Sequence, residues 1–137
     1  MKRIFVDITK SIRPSKFAVI QCDGSYSRGM GRTAVLYKKE SAVTNYTKFE
    51  SSTEAEWKSV HDALLFGISK DLQNIGIEND CLGITYTFLN DLRPKKEYAR
   101  YYKWKIIQDS KQTEWTGIRW IPRRDNLSDS LFMKHLK

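Results

Sequence analysis

Asp23, Glu56, Asp80 and Asp129 are spread across the whole chain, yet each stands where an acid can be brought to a common point. Asp23 closes the apolar run Phe17-Ala18-Val19-Ile20-Gln21-Cys22 and is followed by Gly24-Ser25. Glu56 falls in the first turn of an expected helix, Asp80 closes a second short apolar run, and Asp129 falls in the first turn of the last expected helix. Gathered carboxylates repel one another unless hard cations sit between them, and an all-oxygen donor set suits Mg²⁺ or Mn²⁺. This is the raw material of a metal-dependent phosphoryl-transfer site. Each acid also has an ordinary role open to it: Asp23 as a turn former, Glu56 as a capping partner, Asp129 as a first-turn acid. Asp91 competes with Asp80, but it lies at a helix end ahead of Arg93-Pro94 rather than at a strand end.

The elements that must place these acids follow from periodicity. Residues 17–23 read as a buried strand, 25–31 as a turn with two glycines, and 32–38 and 43–49 as two further strands of an antiparallel meander. Trp57, Val60, Leu64 and Ile68 then recur at helical spacing over 52–69, with Ser51-Ser52-Thr53 as capping hydroxyls and Glu54 or Glu56 three residues on. Residues 75–80 read as a strand and 82–92 as a helix. A third helix follows over 97–112, a strand over 116–122 and a final helix over 127–135. The order βββ-α-β-α-α-β-α is that of an α/β domain whose later strands join by right-handed crossovers.

The chain has 137 residues, 40% of them hydrophobic and 29% charged, which reads as one folded domain over 17–137 behind an N-terminal extension. That extension, residues 1–16, reads as a loose arm or an added strand. No apolar stretch is long enough for a membrane span, and the start Met1-Lys2-Arg3-Ile4-Phe5-Val6-Asp7 breaks its apolar run too early for a secretory signal. A cytoplasmic monomer is the expectation. A formal charge of +8 favours a polyanionic partner. The two cysteines, Cys22 and Cys81, are too few for a zinc set and read as buried thiols.

The element order, with acids at these four places, resembles the ribonuclease H family from about Phe17 to the C-terminus. Cys22-Asp23-Gly24-Ser25 with Gly29 and Gly31 resembles that family's first strand and glycine turn. Thr53-Glu54-Ala55-Glu56-Trp57 resembles its first-helix acid, and Ile77-Glu78-Asn79-Asp80-Cys81 its fourth-strand Asp. The run Asn126-Leu127-Ser128-Asp129-Ser130-Leu131 resembles its last-helix signature. The resemblance implies an α/β ribonuclease H-like fold with a central five-stranded mixed sheet flanked by helices. It implies cleavage of the RNA strand of RNA/DNA hybrids, leaving 5′-phosphate and 3′-hydroxyl ends, with two Mg²⁺ ions about 4 Å apart, replaceable by Mn²⁺. Asp23 would bridge the ions, Glu56 and Asp80 would hold the one on the leaving-group side, and Asp129 the one that holds the attacking water.

The same resemblance sets the nucleic acid against Gly24, Ser25, Ser52, Lys95, Lys96, Arg100, Lys103, Arg123, Arg124 and Asn126. Residues 93–105 carry six basic residues against the single acid Glu97, interleaved with Tyr98, Tyr101, Tyr102 and Trp104, which reads as a phosphate-gripping surface. Ser52 and Leu82 stand where the family often has Asn and a polar residue that contact the hybrid, and Arg123-Arg124 where many members have a His. A nucleic-acid-binding module, or a nuclease for another structured nucleic acid, stays open as an alternative. His61 and His135 match no family position and read as a helix-face and a C-terminal surface histidine.

Overall fold

A computed structural model describes residues 4–134. Its strands are β1 (Val6–Asp7), β2 (Ala18–Ser27), β3 (Met30–Tyr37), β4 (Glu40–Val43), β5 (Thr47–Lys48), β6 (Asn74–Asn79) and β7 (Trp115–Trp120). Its helices are α1 (Ser52–Ser69), α2 (Leu82–Leu89), α3 (Glu97–Ser110) and α4 (Ser130–Lys134). The strands form one mixed sheet in the order β1-β7-β6-β2-β3-β4, with β5 paired to β3. The central pairs β2–β6 and β6–β7 are parallel, and β2–β3–β4 is the antiparallel meander. Among the described residues no helix is long and apolar enough to cross a membrane.

Three local outcomes differ from the sequence expectation, each for a physical reason. Asp23 does not end a strand: β2 runs on to Ser27 and turns back through Arg28 and Gly29 alone, both at positive φ, as a two-residue hairpin requires. The strand expected over 43–49 is broken. The Thr44 hydroxyl accepts the Thr33 N–H at 2.9 Å, so pairing with β3 stops at Val43 and resumes only at Thr47. The last helix starts late, because two 3₁₀ turns, Arg123–Asp125 and Leu127–Asp129, precede α4. His135 lies outside the described residues.

One apolar layer fixes the architecture. Ile20 and Cys22 of β2 and Ile75 and Ile77 of β6 meet Val60, Ala63 and Leu64 of α1, with Ile106 of α3 behind. Residues two apart on a strand share a face, so Cys22 and Gly24 look towards α1 while Gln21 and Asp23 look the other way. Helix α3 lies along α1 with the two N-termini at the same end. Ser51 and Tyr98 share a hydroxyl bond of 3.1 Å at that end, and His61 meets Asp109 at 2.6 Å further along. His61 is therefore on a helix face, buried between α1 and α3. The N-terminal segment adds β1 to the edge of β7 and lays Phe5 against Phe17 and Trp115, over Gly76, where a Cβ would strike the Phe5 ring.

Candidate active site

Asp23 and Asp80 come from the two central parallel strands. Gln21 pairs in register with Glu78, so Asp23, two residues on, reaches the level of Asp80, which follows the last residue of β6. Glu56 arrives from α1, whose first turn is held by other groups. Ser51 caps it by accepting the Glu54 N–H at 3.2 Å, and Glu54 turns back to accept the Glu50 N–H at 2.6 Å. That capping leaves Glu56 free to point inward.

The close approach of α1 to β2 depends on Gly24. A Cβ there would lie 2.5 Å from the Ala55 carbonyl carbon and 2.6 Å from the Glu56 nitrogen. Across this contact the Gly24 N–H donates to Glu56 Oε1 at 2.9 Å, and Asn79 Nδ2 donates to the same oxygen at 3.3 Å. Carboxylate oxygens of Asp23, Glu56 and Asp80 lie within 4.8 Å of one another. Asp129 joins them from the second 3₁₀ turn, and the four acids line a cleft of about 420 Å³ with Gly24, Ser25, Ser52 and Arg123.

The electrostatics are those of charge gathered without enough compensation. Burial, then Glu56 and Asp80, push the Asp23 carboxyl far above the usual carboxylate range. Burial and Asp80 raise Glu56 against the lowering hydrogen bonds of Asp23, Gly24 and Asn79. Burial also raises Asp80, although Asn126 and Arg123 act to lower it. The donors are all oxygen, and both cysteines stand apart. Cys22 lies in the core on the α1 face with its thiol raised by burial, and burial pushes Cys81 up to about 11. Carboxylates raised by burial, and by repulsion between them, in an all-oxygen cleft fit a hard divalent cation.

A pH dependence follows with a definite sign. Carboxyls whose folded pKa exceeds the unfolded one keep protons that the unfolded chain has released, so stability falls as pH rises past the ordinary value of about 4. The melting temperature in EDTA should therefore be lower at pH 8 than at pH 5 by the contribution of Asp23, Glu56 and Asp80. Millimolar Mg²⁺ or Mn²⁺ should recover it at pH 8 far more than at pH 5, with proton release on binding. An equal effect of the cation at both values would mean that it binds elsewhere.

The other expected site residues divide. Ser25, Ser52 and Arg123 border the cleft, while Arg124, Lys95 and Lys96 are exposed nearby or at the N-terminus of α3. Three are used internally. Asn126 is only 4% exposed and is a strut, donating to the Cys22 carbonyl at 2.9 Å and to Asp80 Oδ2 at 3.4 Å while accepting the Ser128 N–H. Lys103 donates to the Leu92 carbonyl at 2.6 Å and to Asp91 at 2.9 Å, so its side chain is largely covered. Arg100 donates to the carbonyls of Pro94 and Lys95. Asp91 itself is exposed, held below the carboxylate range by Lys103, and takes no part in the cleft. Asn79 and Gln21, which the sequence reading passed over, belong to the supports of the site.

No protein-family model matches the chain, and no curated protein is similar to it in sequence. Solved structures are similar to it in fold. The RNase H1 of the halophilic archaeon Halobacterium salinarum NRC-1 superposes with a TM-score of 0.68 at 15% identity, covering 83% of this chain and 92% of that one. The N-terminal RNase H domain of rv2228c from Mycobacterium tuberculosis gives 0.73 at 14% identity, covering 83% and 94%. LC11-RNase H1, solved in complex with an RNA/DNA hybrid, gives 0.71 at 18% identity, covering 83% and 92%. The chain has the ribonuclease H fold, with an acidic cluster just beyond the point where its central strands β2 and β6 stop pairing.

Proposed function

We propose that this protein is a ribonuclease H, a metal-dependent endonuclease that hydrolyses the RNA strand of RNA/DNA hybrids. The observation that carries the reading is the convergence of Asp23, Glu56 and Asp80, with Asp129 beside them, on this fold. A basic chain with an acidic pit is otherwise hard to explain. The acids repel phosphate unless cations intervene, while the formal charge of +8 attracts it.

Asp23 would serve two cations, Glu56 and Asp80 would complete one position, and Asp129 would complete the other. Bound Mg²⁺, or Mn²⁺ in its place, would supply Lewis-acid stabilisation of the phosphodiester and lower the pKa of the attacking water, yielding 5′-phosphate and 3′-hydroxyl ends. The chain's own part is to hold four carboxylates in place. The Gly24 N–H and Asn79 fix one oxygen of Glu56, and Asn126 holds Asp80. Arg123 lines the cleft and is the nearby cation that offsets Asp80, so it is suited to a substrate phosphate. Lys95 and Lys96, exposed at the end of α3 beside the N-terminus of α1, supply sequence-independent grip on the backbone. The hybrid bound by LC11-RNase H1 supports the choice of substrate.

The test is cleavage of end-labelled RNA/DNA hybrid, duplex RNA, duplex DNA and each single strand, with Mg²⁺ and with EDTA. Hybrid should be cut in its RNA strand and only with the cation. Cleavage of duplex RNA or DNA in preference to hybrid would replace this reading by a nuclease for another structured nucleic acid. Tight binding without cleavage would make the chain a binding module.

A further inference from the structure

Asp129 reaches the cleft from neither a strand nor an α-helix. It sits in a three-residue 3₁₀ turn, between a second such turn and the short α4. What fixes this segment is a row of polar side chains across three strands. Gln21 of β2, Glu78 of β6 and Arg119 of β7 are register neighbours on the sheet face turned away from α1. Gln21 Oε1 accepts the Leu127 N–H at 2.8 Å, and its Nε2 donates to the Asp125 carbonyl at 3.1 Å and to Glu78 Oε1 at 3.0 Å. The Glu78 carboxylate is 6% exposed as a residue and is bound on its other oxygen by Arg119, whose Nε lies at 2.8 Å. Phe5, from the N-terminal segment, covers the Arg119 guanidinium at 4.4 Å.

An amide with three bonds, two of them to backbone on either side of Asn126, does more than satisfy itself. It clamps the segment that ends at Asp129. Gln21 and Glu78 stand two residues before Asp23 and Asp80, so the clamp is keyed to the strand that carries Asp23 and the one that leads into Asp80.

We infer that Gln21 is a positioning residue for Asp129, braced by Glu78 and Arg119, and that it sets the affinity of the cation position Asp129 completes. The inference rests on the proposed metal site. An isolated glutamine on this face could satisfy itself with water. The buried carboxylate beside it fixes which way the amide points, since only the NH₂ side can face Glu78. Arg119 in turn occupies the other carboxylate oxygen, Oε2, and leaves Oε1 to accept from Gln21.

The test titrates Mn²⁺ into the full chain by calorimetry for the wild type, Gln21→Met, Gln21→Glu, Asp129→Asn and the double variant Gln21→Glu/Glu78→Gln. Amide exchange at Leu127 and Asp129 is followed in the metal-free proteins. Gln21→Met keeps the side-chain volume, so the fold should survive. It should loosen the weaker Mn²⁺ site, the one Asp129→Asn removes, about 10-fold, with little change at the tighter one. Exchange at Leu127 and Asp129 should quicken. Gln21→Glu, which sets two carboxylates together, should do at least as much harm, and the double variant should recover part of it by exchanging donor and acceptor. A lowered melting temperature with both Mn²⁺ affinities unchanged would overturn the inference, as would equal loosening of both sites. Absence of any Mn²⁺ binding by the wild type would overturn the metal reading and the inference with it.

Discussion

Asp23→Asn is expected to lower Mg²⁺-dependent cleavage of hybrid by about three orders of magnitude, several kcal/mol of transition-state stabilisation, while hybrid affinity holds or rises. Asp23 is the most buried of the four acids and the one whose carboxyl feels Glu56, Asp80 and Asp129 together, so no neighbour can take over its place. Asp80→Asn should behave alike. Asp91→Asn, outside the cleft, should leave turnover nearly unchanged. A second readout guards against mere misfolding. Removing one carboxylate from a repelling cluster should raise the melting temperature of the Asp23→Asn protein in EDTA at pH 8 and abolish most of the gain on adding Mg²⁺. Wild-type turnover in either variant would refute the assignment.

Gly24→Ala is expected to be nearly as damaging to activity through a single methyl group. The added carbon would lie 2.5–2.7 Å from backbone atoms of Ala55 and Glu56, which cannot swing aside as a side-chain tip can. Helix α1 must back away, at a cost of about 1–3 kcal/mol of overpacking. The Gly24–Glu56 hydrogen bond stretches with it. Displacement of Glu56 by about 1 Å should cost on the order of 100-fold in turnover, even at a temperature where the protein is folded. Denaturant unfolding and single-turnover cleavage on the same preparation separate the two effects. A variant with wild-type stability and rate would mean that α1 is held less tightly than this contact demands. Gly29→Ala, at φ 82° with nothing within 4 Å of the added carbon, should strain only its turn and leave the cleft alone.

Much of this was legible in the residues, because the four acids are tied to period changes that betray their elements. Trp57, Val60 and Leu64 mark α1 by spacing, and that places Glu56. What stayed hidden is what polar side chains do once the chain is folded. Gln21 and Glu78 interrupt apolar strands without any spacing that marks a role, yet they pair across strands and grip the Asp129 segment. Asn79, a polar residue at a strand end, is wholly buried beside Glu56. The basic run 93–105 was visible as charge, but a charge count cannot tell which cations are taken up by carbonyls. Lys103 and Arg100 are so occupied, whereas Lys95 and Lys96 remain exposed. Asp23 lies in the acidic cluster although its strand reads too short from the sequence, since a two-residue turn lets β2 continue well past it.

Strand β1 also decides how copies of this protein can meet. Without Val6 and Asp7, β7 would present a bare ladder of amides and carbonyls, the template on which fibrils and strand-exchanged dimers grow. The Asp7 carboxylate, bound to the Trp115 indole N–H at 2.7 Å, pins that cover in place. On the far side the sheet ends in two fragments, β4 and β5, of four and two residues, too short and too broken to recruit a neighbouring strand. Among the described residues both rims are thus short or interrupted, which disfavours edge-to-edge growth of the sheet.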